Sequence, residues 1–94
     1  MLEKNIVTAI MRYLKTIPLC YCWKTHGGMY GTAGVPDIII CLNGQFVALE
    51  VKTPTGKLTK LQESTLQKIN AAKGYAYKVT SLQEVKEILH NLNS

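Results

Sequence analysis

An α/β domain in the order helix, strand, strand, strand, helix, strand, helix is what this sequence predicts. Three observations carry it. Apolar residues recur at helical spacing over residues 2–16, and Asn43-Gly44 sits between two apolar runs as a hairpin signal. Two segments opened by Thr59 and Ser81 have helical patterns, and the short stretch Tyr75-Ala76-Tyr77-Lys78-Val79 between them reads as a strand. Alternation of this kind builds a sheet with helices packed on it.

The first element rests on Leu2, Ile6, Ile10, Tyr13, Leu14 and Ile17, and Pro18 stops it because proline has no N–H to donate. At about 100° per residue, Glu3 falls between Ile10 and Leu14, in the middle of the apolar arc. An acid there is either a first-turn residue favoured by the helix dipole or a group that needs a buried partner. Residues 19–25 (LCYCWKT) have the aromatic content of a strand. Residues 26–35 form a loop punctuated by Gly27, Gly28, Gly31 and Gly34, with Met29 and Tyr30 at its centre as candidates for a substrate-facing flap.

Asp37 opens the run Ile38-Ile39-Ile40-Cys41-Leu42, and Asn43-Gly44 turns it into residues 45–52 (QFVALEVK). That return strand is apolar on both faces until its end, so it is expected at the centre of the sheet. Thr59-Lys60-Leu61-Gln62 fits a capping box for a helix reaching Lys73 and ending at Gly74. Ser81-Leu82-Gln83-Glu84 fits a second box, opening a last helix with Val85, Ile88, Leu89 and Leu92 inward.

Ninety-four residues bound the chain to a single domain, 1–94, near the lower size at which one core is comfortably stable. An apolar fraction of 47% excludes disorder. No apolar run approaches a membrane span, and Glu3 and Lys4 lie inside the first helical pattern, so a soluble intracellular protein is expected. Cys20, Cys22 and Cys41 are odd in number and lack CxxC spacing, which favours buried reduced thiols over zinc or a disulfide framework. The net charge is +5, and setting aside Glu3, Asp37, Glu50 and Lys52 leaves ten basic residues against three acidic. That imbalance favours a polyanionic partner, nucleic acid first.

Counting outward from the turn, Leu42 faces Gln45, which sets Asp37 opposite Glu50. Like charges paired across a hairpin are destabilising unless something neutralises them. Two carboxylates can hold a divalent cation, and the backbone carbonyl of Val51 is a further oxygen donor beside them. Lys52 leaves the same strand face as Glu50, where an ammonium can orient water or stabilise the charge of a phosphoryl transition state. Gln62 lies on the inward arc of its helix near Leu66 and Ile69, and both a capping role and a substrate- or water-positioning role are open to it. Gly56-Lys57 is reminiscent of a P-loop, but Val51 and Leu58 occupy positions that need Gly and Ser/Thr, so no nucleotide cofactor is expected. His26 and His90 lack metal-ligand spacing, and His26 borders the glycine-rich loop as a candidate phosphate contact.

The ordered set Gly34-Val35-Pro36-Asp37, Glu50-Val51-Lys52, Leu58-Thr59-Lys60-Leu61-Gln62 and Val79-Thr80-Ser81 resembles the VRR-NUC (virus-type replication-repair nuclease) domain of the PD-(D/E)XK superfamily. The resemblance covers nearly the whole chain and the length matches stand-alone versions such as phages encode, which work in a bacterial cytoplasm. It implies a restriction-endonuclease-like fold, a mixed central β-sheet flanked by α-helices. It implies Mg²⁺ or Mn²⁺ on Asp37, Glu50 and the Val51 carbonyl, with Glu3 as a further candidate ligand. Catalytic roles fall to Asp37, Glu50, Lys52 and Gln62. Its activity is expected to be structure-selective cleavage of branched or double-stranded DNA, as a homodimeric four-way (Holliday) junction resolvase. Lys24, His26, Lys57, Lys60 and Lys78 are the candidate DNA contacts; Thr80 stands where the family often has a basic residue, and Lys78 is the expected substitute. A non-catalytic, structure-selective nucleic-acid binding module and a sequence-specific restriction-type nuclease are the competing readings.

Overall fold

The computed structural model describes residues 2–25 and 33–93. Expectations placed on His26, Gly27, Gly28, Met29, Tyr30 and Gly31 fall outside the described residues. Seven elements follow the expected order: α1 (Glu3–Leu14), β1 (Cys20–Lys24), β2 (Ile38–Leu42), β3 (Gln45–Val51), α2 (Lys60–Ala71), β4 (Tyr75–Val79) and α3 (Leu82–Asn93). The four strands form one sheet in the order β1-β2-β3-β4. β1, β2 and β3 run antiparallel, and β4 joins β3 in parallel through the α2 crossover. The sheet is therefore mixed, and β3 is central as its two apolar faces required. No helix among the described residues is long and apolar enough to cross a membrane.

The pleat sorts the strands into two faces. On one, Ile38, Ile40, Leu42, Val47, Leu49, Val51 and Val79 pack against Ile6, Ile10 and Leu14 of α1 and Val85 and Leu89 of α3. On the other, α2 covers less: Leu66, with Ile69 and Leu58 beside it, packs on Ile39, Ala48 and Ala76. The small side chains Ala48 and Ala76 let α2 lie close to the sheet. Three rows cross this second face: Thr25-Asp37-Glu50-Lys78 at one end, Trp23-Ile39-Ala48-Ala76 under α2, and Tyr21-Cys41-Phe46 toward the hairpin.

The hairpin has its expected geometry, with Asn43 at φ 50° and Gly44 at φ 83°, both left-handed as a type I′ turn demands. Strand β1 starts one residue later than expected, because Leu19 occupies the left-handed region at φ 56°. Helix α2 carries the complete capping box at Thr59, but its C-terminus differs from expectation. The left-handed residue is Lys73 (φ 76°), not Gly74. Gly74 instead donates its N–H to Ile69 O at 2.9 Å, while Lys73 donates to Asn70 O at 3.1 Å, the paired bonds of a Schellman cap. Gly74 is needed for space, since a Cβ there would come within 2.7 Å of Ile69 Cγ2.

The second capping box is half formed. Ser81 Oγ accepts from Glu84 N at 3.2 Å, but Glu84 Oε1 reaches one residue further back and accepts from the Thr80 N–H and hydroxyl. The carboxylate is thus held by both donors of Thr80 rather than by the Ser81 N–H that a full capping box would use. The cysteines are free as expected, though only Cys20 and Cys22 are half-buried, and Cys41 is exposed on the open part of the second face. Burial pushes the Cys20 and Cys22 thiols up, which keeps them unreactive.

Candidate functional site

The Asn43-Gly44 turn fixes the register on which the site depends. Leu42 pairs with Gln45 and Ile38 with Leu49, so Asp37, one step beyond the ladder, comes to Glu50. Its backbone is held there by β1: Thr25 N–H donates to Asp37 O at 2.9 Å, and the Thr25 hydroxyl donates to Pro36 O at 2.6 Å. The Asp37 side chain then replaces the missing partner of β3, accepting the Val51 N–H on Oδ2 at 2.7 Å. Lys52 N–H turns the other way, to Val79 O on β4. Since the N–H and C=O of one strand residue share an edge, the Val51 carbonyl leaves β3 on the Asp37 side.

Glu50 is the buried polar residue of the described core, 3% exposed. Desolvation by burial raises its carboxyl first, hydrogen bonding and then repulsion from Asp37 add to this, Lys52 opposes and Glu3 adds a little, leaving it pushed up to about 8. Glu50 Oε2 accepts from Gln62 Nε2 at 3.3 Å, while the buried Oε1 has no hydrogen-bond partner among the described residues. Without a cation, Glu50 itself is held mainly in its protonated form near neutral pH.

Gln62 takes the capping role that its sequence position offered, and its amide also reaches Glu50. Its Oε1 accepts the Thr59 N–H at 2.9 Å to close the capping box, which orients Nε2 toward Glu50. Helix α2 is set against the sheet near this point by Gly34, where a Cβ would approach Leu61 Cγ to 2.7 Å and where φ is +85°. The loop leading into Asp37 and the first turn of α2 therefore constrain each other.

Glu3 is exposed rather than buried, with Leu2, Lys4 and Asn5 around it equally exposed at the start of α1. It lines a cavity of about 410 Å³ together with Lys4, Lys24, Thr25 and Asp37. Among the described residues, no three His, Cys, Asp or Glu side chains come together as a metal cluster. The chain thus offers two carboxylates and a backbone carbonyl, a hard oxygen set of the kind Mg²⁺ takes when water and substrate phosphate complete its shell. The orphaned Glu50 Oε1 is the observation that such a cation fits.

Lys52 is half-buried on the Glu50 face and close enough for its charge to act on Glu50. Lys78 pairs with Glu50 across β3–β4 and is exposed on the same face, where the sequence had it substitute for the basic residue replaced by Thr80. Lys57 and Lys60 are exposed at the entrance to α2, and Lys24 lies at the Asp37 cavity. A separate cavity of about 530 Å³, lined by Phe46, Ile69, Lys73 and Tyr75 among others, opens at the hairpin end and brings no acid together. The sequence did not single out Lys4, Arg12 and Lys15 as site residues; their polar-face spacing on α1 was the available signal.

No protein-family model and no curated protein sequence matches this chain. Solved structures do. One described as "VRR_NUC domain" superposes with a TM-score of 0.78 at 18% identity, covering 94% of this chain and 94% of that one. Another, "VRR_NUC domain protein", gives 0.81 at 18% identity, over 97% of this chain and 87% of that one. The chain has the fold of the VRR_NUC domain, a mixed four-stranded sheet flanked by helices in the order α-β-β-β-α-β-α.

Proposed function

We propose that this chain is a nuclease of the VRR-NUC, PD-(D/E)XK type: a metal-dependent, structure-selective DNA endonuclease that hydrolyses phosphodiester bonds. The observation that carries the reading is the pairing of Asp37 with buried Glu50, whose Oε1 meets no hydrogen-bond donor among the described residues. A structural salt bridge would leave no such atom.

Asp37, Glu50 and the Val51 carbonyl would hold Mg²⁺ or Mn²⁺, with Glu3, which lines the same cavity as Asp37, as a further candidate ligand. A divalent cation held there supplies Lewis-acid neutralisation of the charge that builds on the phosphate. The remaining work belongs to the chain. The Val51 N–H and Gln62 Nε2 hold one oxygen of each acid and leave the other oxygen of each for a cation. Lys52 places a positive charge beside Glu50, suited to orienting the attacking water and stabilising the phosphorane as the P–O bond to the leaving oxygen breaks. Lys24, Lys57, Lys60 and Lys78 surround the site as backbone contacts that track phosphates rather than bases.

Branched DNA is the substrate this reading favours, with the four-way junction first, and a homodimer would supply the two symmetry-related sites that paired cuts need. A phage-encoded protein acting in a bacterial cytoplasm is the setting that the sequence resemblance supplies. The test is a cleavage panel of linear, flapped, forked and four-way DNA with Mg²⁺ or Mn²⁺, and Asp37→Ala as control. Paired nicks across the branch that vanish in the variant support the reading. Junction binding without cleavage in any metal would replace it with a non-catalytic binding module, and cutting of linear duplex at one fixed sequence with a restriction-type enzyme.

A further inference from the structure

Outside the acid pair, the least explained surface is the second face of β1. Tyr21 is 73% exposed and Trp23 47%, on an edge strand whose burial would ordinarily be sought by aromatic rings. Both rings project from the face that carries Asp37 and Glu50, because residues 21, 23 and 25 share it. Their centroids are 5.9 Å apart with planes tilted by 47°, so each keeps a surface open to solvent. Trp23 stands in the row next to Thr25-Asp37-Glu50, and Tyr21 in the row beyond. The opposite flank of the same strand is cationic. A groove between α1 and β1 is lined by Arg12, Lys15 and Lys24, and shares Thr8 and Lys24 with the cavity that contains Asp37.

We propose that Tyr21 and Trp23 form a stacking platform for unpaired nucleotide bases, with the α1–β1 groove holding the phosphates of the same strand on its way to Asp37. This deepens the nuclease reading and rests on it: within the branched DNA of that reading, nucleotides left unpaired at the branch point would lie beside the scissile phosphate. Aromatic rings next to a cationic backbone groove are how chains bind single strands without reading their sequence. A second copy is the competing occupant of this face, and the cationic flank of the strand favours a polyanion over it.

Trp23 is the chain's single tryptophan, so it reports directly. Its fluorescence is titrated with oligothymidylate and with a fully paired duplex of equal length, in EDTA so that nothing is cut. The platform predicts saturable quenching by the single strand and little by the duplex. Tyr21→Ala should weaken single-strand binding about 5- to 100-fold, with Tyr21→Phe restoring it. Lys15→Ala should flatten the salt dependence by about 0.7 in log–log slope. Unquenched Trp23 with bound single strand overturns the proposal. So does emission that shifts with protein concentration before DNA is added, which would assign the face to a second copy. The nuclease reading fails separately: quenching with no cleavage in metal leaves the platform standing, and cleavage without quenching removes the platform alone.

Discussion

Gln62 donates to Glu50 across 3.3 Å, and the same side chain closes the capping box of α2 through its other amide atom. One residue therefore links the start of a helix to the orientation of a buried carboxylate. The two functions separate by substitution. Gln62→Glu keeps an acceptor for the Thr59 N–H and should fold with near-native stability, yet it removes the donor to Glu50 and adds charge. Cleavage by that variant should fall about 10- to 100-fold, the usual cost of losing an outer partner of a metal ligand. Gln62→Ala loses both bonds, and thermal unfolding should show about 1 kcal/mol of destabilisation as well.

Glu50 gives the metal-free protein a pH dependence of a particular sign. In the unfolded chain its carboxyl ionises near 4.5, whereas in the native site it keeps its proton up to about 8. Between those values the native state binds more protons than the unfolded state, so Glu50 makes stability fall as pH rises. Glu50→Gln removes this contribution. Melting curves in EDTA should show wild type losing on the order of 2 kcal/mol more than the variant between pH 5 and pH 8. Saturating Mn²⁺ should reverse the trend for wild type, because the cation takes the ionised form. Equal pH profiles for the two proteins would contradict the assignment.

Lys73 marks a strained helix terminus away from the acids. A lysine at φ 76° carries the Cβ penalty of the left-handed region. Lys73→Gly should raise stability by about 1 kcal/mol, hence the melting temperature by about 4–8 °C for a domain this small. Gly74→Ala should lower it, since the new Cβ meets Ile69. Cleavage should be unaffected in Lys73→Gly, which separates stability from chemistry.

Much of this arrangement was legible in the sequence, for local reasons. Asn43-Gly44 admits few turn types, so the Asp37–Glu50 pairing could be counted outward from it. The two-sided apolar run of residues 45–51 placed β3 at the centre. What local pattern could not give was the extent of tertiary cover. Periodicity put Glu3 on the inward arc, but where the sheet ends decides whether that arc is buried. Strand propensity identified residues 19–25, but not that Tyr21 and Trp23 stay exposed. Glu84 fitted a capping box by spacing, and only the fold revealed that its carboxylate reaches Thr80 instead. For Gln62, spacing gave the capping box, but the contact of its other amide atom with Glu50 depends on how α2 docks on the sheet.

The account stands on Asp37 and Glu50 binding a divalent cation together. Calorimetric titration of Mn²⁺ at pH 7, in buffers of different ionisation enthalpy, tests it without needing a substrate. Wild type should bind saturably and release close to one proton per site, because Glu50 must give up the proton it holds. Asp37→Asn and Glu50→Gln should each abolish that binding while remaining folded. Binding of equal strength in either variant, or binding with no proton released, would contradict the account.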